Sequence, residues 1–340
     1  MTGSVRRIVV YRLGSLGDTV VALPCLHRVA QAYPDAERIM LTNVPVNAKA
    51  APLEAILGGS GLVHGYMSYP VGTRSFAELS ALRTRLRGLG ADTLVYLTPS
   101  RGLAGALRDL LYFRLCGFRH IVGAPLSHDL QRHRRGADGL LERECERLVR
   151  CLAALGPIDL DDPAAWELRL SASEREAAAA ALGVAARPRR IAINMGGKVL
   201  QNDWGEANWC ALVTRLREAC ADHALVLVGA AEDDARAARV GALWPGPVAN
   251  LCGRVSPRVS AAAMAGARMF IGHDSGPLHL AASVGVPCVG LYGDYHEPRK
   301  WHPHGERHRI LHEMRGVLAI EVETVAQAAL GVLATPEPAA

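Results

Sequence analysis

The sequence predicts an α/β fold built from two Rossmann-like, doubly wound domains that face each other across a cleft. The chain has 340 residues, more than the roughly 100–200 that one domain usually holds, so two domains are expected. Half of the residues are hydrophobic and only 5% are aromatic, which is more typical of alternating strands and helices than of an all-β sandwich. Short β-branched runs alternate with helical patterns in both halves, as in parallel, doubly wound sheets.

The first half contains five candidate strands, with a helix predicted after Asp18. The strand candidates are RRIVVYRL, RIMLT, LVHGYM, DTLVYL and HIVG. Around 156–172 the chain becomes rich in Pro and Asp and then enters a polar, Ala-rich helical pattern. This change in composition is typical of a domain boundary, so we predict domains at 1–160 and 161–340.

The second half repeats the same scheme. Its strand candidates are RRIAINM, HALVLVG, VANLC, RMFIG and PCVGLYG, and its helices are expected at roughly 206–221, 231–243, 257–265 and 277–284. A last helical pattern, VETVAQAALGVLA, should close the fold, and the TPEPAA tail after it is expected to fray.

Charge and cysteine content narrow the class of protein. The formal net charge of +5 does not require a nucleic-acid partner, and arginine side chains suit an anionic ligand such as a phosphate or carboxylate. The eight cysteines form no CxxC pair and no zinc spacing, so they are expected to be reduced core residues of a cytoplasmic protein. No export signal and no apolar stretch of about 18 residues is visible, so any membrane association should be peripheral.

The first candidate site follows the first strand, where RRIVVYRL runs into GSLGD. Gly14 and Gly17 allow a tight turn, and Asp18 is expected at the helix N-cap. A carboxylate at the carboxyl edge of the first strand is placed to act as a base. The motif alone favours a simpler interpretation, in which Asp18 only satisfies helix amides. The turn also lacks the GxGxxG fingerprint, which disfavours a dinucleotide-dependent enzyme.

The stronger signal is HDSGPLHLAASVGVP at 273–287. A buried strand leads into a turn and then a short helix that starts near Pro277 and ends at Gly285. The amides and dipole of such a helix N-terminus suit a pyrophosphate, although capping alone also explains Ser275 and Gly276. His279 either donates to a phosphate oxygen or packs in the core.

The segment NMGGKVLQNDWG at 194–205 follows the first strand of the second half. Gly196 and Gly197 should form a loop at the same carboxyl edge, where Lys198 either reaches a phosphate or is solvated. Trp204 and Trp209 are expected to brace the loop against the core.

Two further groups of charged residues lie near predicted strand ends. One acid of the group at 232–234, for which we choose Glu232, is expected to bind ribose hydroxyls, although acids in a first helical turn also simply favour the helix dipole. A basic loop before a long helix is predicted either to clamp an anionic acceptor or to be a solvated face. Its members are His128, Arg132, His133, Arg134 and Arg135; Arg12 and Arg101 lie closer to strand ends.

These segments resemble glycosyltransferase family 9, the ADP-heptose:lipopolysaccharide heptosyltransferases, along nearly the whole chain. RLGSLGDTVVALPCLHRVAQAYPDA is similar to the family's N-terminal segment, HDSGPLHLAASVGVPCVGLYG to its D-[ST]-G-x-x-H-x-A-A signature, and HEPRKWHPHGERHRIL to its C-terminal region. One departure concerns the family's K-x-W-P run, where this chain has Asn202-Asp203-Trp204-Gly205 and its lysine, Lys198, stands four residues earlier.

The resemblance implies a GT-B fold and an inverting transfer that uses neither metal nor cofactor. Asp18 matches the catalytic carboxylate, Asp274 the acid near the donor sugar, and Ser275, Gly276 and His279 the phosphate-contacting turn. The expected donor is ADP-heptose, bound also by Gly196, Gly197, Lys198, Glu232 and Pro277.

The expected acceptor is a hydroxyl of an anionic glycan such as lipopolysaccharide core, bound by Arg12, Gly17, Arg101 and Arg132. The enzyme is expected in the cytoplasm, with peripheral contact to the inner membrane. Alternatives are a protein or small-molecule acceptor, or a nucleotide-sugar-binding protein without catalysis.

Overall fold

A computed structural model describes residues 6–44 and 52–335 of the chain. The chain divides into two compact units, Met1–Arg169 and Leu170–Ala340. Each unit contains one β-sheet in which every pair of neighbouring strands is parallel. The tail TPEPAA lies outside the described residues apart from Thr335.

The first unit alternates strands and helices along its length. Its strands are β1 (Arg7–Tyr11), β2 (Glu37–Asn43), β3 (Gly65–Tyr69), β4 (Thr93–Tyr96) and β5 (His120–Val122). Its α-helices are α1 (Leu16–Val20), α2 (Leu23–Ala32), α3 (Glu54–Leu57), α4 (Phe76–Gly88), α5 (Gly102–Leu115), α6 (His128–Gln131) and α7 (Glu144–Cys151).

The first sheet has the strand order β3-β2-β1-β4-β5. Alternating residues of β1, including Val9 and Tyr11, pack on one face of the sheet with Leu82 and Leu86 of α4 and Phe113 of α5. The chain winds outward from β1 in one direction through β2 and β3 and in the other through β4 and β5. The order of the strands therefore reverses between β1 and β4, the point where α/β sheets bind ligands beyond their carboxyl ends.

The second unit has the same plan with six strands. Its strands are β6 (Arg190–Asn194), β7 (Ala224–Leu227), β8 (Val248–Asn250), β9 (Met269–His273), β10 (Cys288–Tyr292) and β11 (Arg309–His312). Its α-helices are α8 (Ala172–Leu182), α9 (Glu206–Leu216), α10 (Asp234–Gly241), α11 (Pro257–Met264), α12 (Gly276–Ser283) and α13 (Val322–Ala334).

The second sheet has the order β11-β10-β9-β6-β7-β8. One of its faces forms a core with α9, α10 and α13, in which Trp204 and Trp209 are fully buried and meet edge to face at 5.0 Å. The expectation that these two indoles brace the core is confirmed. Strand order reverses between β6 and β9, which defines the ligand-binding edge of this unit.

The ten predicted strands all form, but some details differ from the sequence expectations. β3 begins three residues into the predicted LVHGYM run, and α9 ends at Leu216 rather than near 221. The basic segment before α7 is not all loop, because residues 128–131 form α6, and α7 itself has only eight residues. The edge strand β11 was not predicted, since RILH is short and carries Arg and His.

Candidate functional site

Two candidate residues of the first unit lie at its point of strand reversal. The turn that carries Asp18 follows β1, and Arg101 lies at the end of the segment that follows β4. β1 and β4 are paired neighbours, so the two segments leave the same edge of the sheet side by side. This edge is where a parallel sheet places its ligand contacts.

Asp18 does not occupy the helix N-cap that the sequence suggested. Ser15 is the N-cap of α1, and Asp18 is the third helical residue, whose side chain accepts the N–H of the N-cap residue as in a capping box. The Asp18 Oδ2 atom accepts hydrogen bonds from the backbone N–H of Ser15, at 2.8 Å, and from its hydroxyl, at 3.1 Å. In the described part of the chain, the other oxygen, Oδ1, accepts no hydrogen bond. One carboxylate oxygen is thus fixed and the other remains available.

The turn itself depends on Gly14 rather than on Gly17. Gly14 has φ +126°, and a Cβ atom at this position would lie 2.4 Å from the Cγ of Asp18. Its N–H donates to the side-chain oxygen of Asn43, at 2.9 Å, from the end of β2. Gly17 lies within α1 and has no positive φ. Asn43, which sequence reasoning missed, therefore fixes the turn from the neighbouring strand.

Arg12 is not placed to bind an acceptor, contrary to the expectation. Its side chain is fully buried, and its amino groups donate to the backbone carbonyls of Leu97, at 2.6 Å, and of Asp18. Burial lowers the pKa of Arg12, while the charge of Asp18 opposes that change. Arg12 therefore joins the ends of β1 and β4 and holds the Asp18 turn from beneath.

Arg101 keeps the role of a candidate acceptor contact. Its side chain is one-quarter exposed, and its Nη1 atom donates to Asp109, at 3.1 Å, and to the hydroxyl of Tyr11, at 3.2 Å. The Tyr11 hydroxyl lies 2.6 Å from that of Tyr69, and Tyr96 donates to Asp109 at 2.9 Å. A tyrosine–aspartate network therefore orients the partly exposed guanidinium of Arg101.

The basic segment of the first unit divides into buried and exposed residues. Arg132 is exposed, whereas His133 lies 2.8 Å from the buried carboxylate of Glu144. Glu144 also pairs with the fully buried Arg147, at 2.7 Å, and Arg147 donates to the carbonyl of Thr98 beyond β4. Burial opposes ionisation of Glu144, but hydrogen bonds from Arg147 and His133 lower its pKa to about 2. This cluster anchors the segment that carries Arg132.

In the second unit, the helix that begins at Gly276 has no side-chain cap at its N-terminus. Ser275 is its N-cap residue, yet its hydroxyl donates to Oδ1 of Asn194, at 3.1 Å, instead of accepting from a helix amide. Asn194 is the last residue of β6 and is buried. Pro277, which was predicted to start the helix, occupies its second position, and Gly285, with φ +79°, follows the helix end. The first turn of α12 therefore presents amides and a positive dipole end at the reversal between β6 and β9.

The loop after β6 lies against the acids that follow β7. A Cβ atom on Gly196 would lie only 2.1 Å from Oδ2 of Asp233, so any side chain at this position would require the Asp233 carboxylate to shift. A Cβ atom on Gly197 would have no neighbouring atom within 4 Å, and Lys198 beside it is exposed. Asp233 thus sets the position of the glycine loop, a contact that the sequence did not reveal.

The three acids at 232–234 have different environments. Glu232 is exposed, whereas Asp233 caps the turn at Ala230 and underlies the glycine loop. The Asp234 carboxylate accepts from Asn250 and from Arg254, both at 2.8 Å. The structure therefore gives Asp233 and Asp234 clear intramolecular roles.

His273 links the end of β9 to the segment between β6 and α9, and it was not assigned a role from the sequence. It ends β9, and its Nε2 atom accepts the backbone N–H of Trp204 at 3.0 Å. Its ring packs edge to face on Trp209, and it also hydrogen-bonds the backbone of Gly196. Burial lowers the pKa of His273 to about 4, so the ring is neutral at physiological pH with its proton on Nδ1. The only sequence signal was its place immediately before Asp274.

An ion pair with α10 also holds the segment between β6 and α9. Asp203 and Arg236 pair through both carboxylate oxygens, at 2.8 and 2.9 Å, and Arg236 also donates to the carbonyl of Met195. Burial opposes ionisation of Asp203, but hydrogen bonds from Arg236 and the Gly205 amide lower its pKa overall. The segment 202–205, where this chain departs from the family's K-x-W-P run, is therefore held in place by the ion pair of Asp203.

The remaining donor candidates lie on either side of the α12 turn. Asp274 is half-buried, and its N–H donates to the carbonyl of Leu291 at 3.0 Å. Its charge contributes to the raised pKa of Tyr292, for which burial is the largest cause. His279 is buried on α12, so its side chain packs within the unit.

The cysteines, the candidate metal ligands and the long helices can each be described over the whole of the described chain. All eight cysteines are free, and seven of them are buried, as predicted. Within 6–44 and 52–335, no group of three or more His, Cys, Asp or Glu residues is arranged to hold a metal ion. Over the same ranges, no helix is both long and apolar enough to span a bilayer.

A family model described as glycosyltransferase family 9 (heptosyltransferase) matches residues 127–324, more than half of the chain. The chain belongs to glycosyltransferase family 9. It is therefore a glycosyltransferase, and the expected enzyme class is confirmed. No curated protein sequence matches the chain.

Solved structures of family 9 glycosyltransferases are similar over nearly the whole chain. A family 9 glycosyl transferase from Veillonella parvula has 20% identity and a TM-score of 0.75, with 98% of each chain covered. ADP-heptose lps heptosyltransferase II from E. coli has 18% identity and a TM-score of 0.68, over 96% of this chain and 98% of that one. E. coli heptosyltransferase WaaC, solved with ADP-2-deoxy-2-fluoro heptose, has 19% identity and a TM-score of 0.65, over 96% and 99%. The expected GT-B type of fold, with two doubly wound domains, is confirmed.

Proposed function

We propose that this family 9 glycosyltransferase transfers heptose from ADP-heptose to a hydroxyl of an anionic glycan such as lipopolysaccharide core. The proposal includes inversion at the sugar carbon, no metal or cofactor, and action in the cytoplasm at the inner membrane face. The observation that carries it is the uncapped N-terminus of α12, because Ser275 bonds Asn194 and leaves the helix amides for an anion. ADP-2-deoxy-2-fluoro heptose is bound by the similar WaaC, which supports the choice of donor.

The proposed base is Asp18. Its Oδ2 atom is held by Ser15, so Oδ1 takes the proton from the acceptor hydroxyl. The hydroxyl oxygen then forms a bond to the anomeric carbon as the bond from that carbon to the diphosphate breaks. A positioned general base contributes about 10²–10⁴-fold in rate.

The departing diphosphate gains negative charge, which hydrogen-bond donors and a positive side chain of the second unit would stabilise. We assign this role to the first-turn amides of α12 and to Lys198, with Asp274 facing the sugar and Glu232 the ribose. These donors are fixed before the reaction, since His273 and Asp233 hold the loops that carry them. Fixed donors stabilise the transition state without reorganising.

The acceptor is assigned to the edge of the first unit, through Arg101 and Arg132. Arg101 is pre-oriented by Asp109 and Tyr11, and a guanidinium edge suits a phosphate or carboxylate of an anionic glycan. A protein or a small natural product as acceptor is the alternative.

A thermal-shift panel with ADP-, GDP-, UDP- and TDP-sugars tests the donor, because a ligand that binds only the folded state stabilises it by mass action. We expect ADP-heptose to give the largest shift. A larger shift with another base would refute the donor assignment, and a shift without any sugar transfer would favour a non-catalytic binding protein.

A further inference from the structure

The helix α5 has two apolar faces, although a surface helix normally has one. Ala106 and Phe113 lie in the core of the first unit. On the opposite side, Leu107, Leu111 and Leu115 are 55%, 64% and 56% exposed. At spacings of four residues these leucines form one continuous stripe along the helix. Single exposed leucines are common on protein surfaces, but a contiguous stripe of three indicates an interaction surface.

Arginines border this stripe on both sides. With 3.6 residues per turn, Arg108 and Arg114 lie on opposite flanks of the leucines. The Arg108 side chain is 65% exposed, and Arg114 is exposed and donates to the carbonyl of Phe118. Long arginine side chains can keep their charge at a polar boundary while the neighbouring leucines enter an apolar layer.

The neighbouring helix α4 extends the same surface. Phe76 is 89% exposed, and at helical spacing it shares a face with Arg83 and Arg87. Arg83 donates to the carbonyl of Leu115 at 3.1 Å, so this face of α4 adjoins α5. This face of α4 thus carries an exposed aromatic residue and two more positive charges.

The charge of this region indicates what kind of partner fits. Residues 74–119 hold eight arginines, no lysine and only three acidic residues. One of those acids, Asp109, is buried between Arg101 and Arg108. A second copy of the chain, docked symmetrically, would set arginine against arginine. A negatively charged apolar layer would accept both the leucines and the arginines.

We propose that the outer face of α5, with the adjoining face of α4, docks on the surface of an anionic lipid bilayer. Leucines enter the boundary of the acyl chains and arginines meet the lipid headgroups, as in helices that lie in a membrane interface. Arg101 lies at the N-terminal end of α5. Docking would therefore hold the acceptor edge close to a bilayer, and this last step rests on the proposed function.

Co-sedimentation of the full chain with vesicles tests the proposal. The vesicles contain either phosphatidylcholine alone or equal parts of phosphatidylcholine and phosphatidylglycerol. We expect the chain to bind the second kind and to be released by salt, because screening weakens attraction between arginines and headgroups. L107Q/L111Q should weaken binding at least about tenfold. L318Q, which changes a leucine 69% exposed in the second unit, should bind as the wild type does.

Three outcomes would overturn the proposal: no binding to anionic vesicles, unchanged binding of L107Q/L111Q, or a wild-type dimer that this variant converts to a monomer. All the changed side chains are exposed, so thermal unfolding of each variant should match that of the wild type. The measurement needs neither donor nor acceptor. A chain that transfers sugar without binding vesicles would refute this proposal, together with the placement at the membrane, and would leave the proposed sugar transfer standing. A chain that binds vesicles without transferring sugar would refute the proposed transfer and leave this proposal standing.

Discussion

Protonation of His273 should lower the stability of the second unit as the pH falls, through a group that the rest of the chain does not share. Burial lowers the pKa of this imidazole to about 4, whereas the pKa of a histidine in an unfolded chain is about 6.5. Folding therefore favours the neutral ring. Its contribution to stability is fully present above pH 6.5 and is lost as the pH falls towards 4. At about 1.4 kcal/mol per pKa unit, the total is about 3 kcal/mol, of which about 2 kcal/mol is lost at pH 5.

The assay is urea unfolding at pH 7 and pH 5, followed by tryptophan fluorescence. Four of the five tryptophans lie in the second unit, so the signal reports mainly on that unit. The wild type should lose about 2 kcal/mol more between the two pH values than His273→Gln does. Other histidines with lowered pKa values, such as His27 and His64, affect both proteins equally and cancel in the difference.

The exposed His120 provides the control, since His120→Gln should keep the pH dependence of the wild type. NMR titration of the wild-type imidazoles gives a second readout that does not depend on the variant's folding. A His273 ring that titrates near 6.5, or equal slopes for wild type and His273→Gln, would refute the argument from burial.

Two matched pairs test the remaining geometry. Gly196→Ala should raise the KM for the donor at least about tenfold, whereas Gly197→Ala should change it little. The reason is that a Cβ atom overlaps the Asp233 carboxylate only at position 196. Kinetics measured against donor concentration test this prediction, and equal effects of the two substitutions would contradict it. Arg12→Met should cost about 2–4 kcal/mol in urea unfolding, because the buried carbonyl of Leu97 and the partly buried carbonyl of Asp18 lose their arginine donor. Arg132→Ala should leave stability unchanged and raise only the KM for the acceptor, and a stability loss there would contradict its exposed position.

Much of the fold could be predicted because it depends on local patterns. The β-branched runs mark the ten strands, and the Pro277 and Gly285 signals mark the limits of α12 closely. The strand at Arg309–His312 escaped prediction because its stability comes from pairing with β10 rather than from its own composition.

The site was predicted less completely, because its supporting contacts join distant parts of the sequence. His273 and Trp204 are 69 positions apart, and no local pattern relates Gly196 to Asp233. Arg12 was misassigned for a related reason, since arginines are seldom fully buried and a strand-end arginine is ordinarily interpreted as a ligand contact. Chemistry-bearing residues were therefore recognisable, while the residues that hold them in place were not.

The most direct test of the account is transfer by the full chain, followed by mass spectrometry of the acceptor. Purified wild type is incubated with ADP-heptose and a lipopolysaccharide core acceptor that lacks heptose. We predict that the acceptor gains the mass of one heptose residue. Asp18→Asn should fold, bind ADP-heptose as the wild type does, and transfer about 10²–10⁴-fold more slowly. Transfer by Asp18→Asn at the wild-type rate would contradict the account.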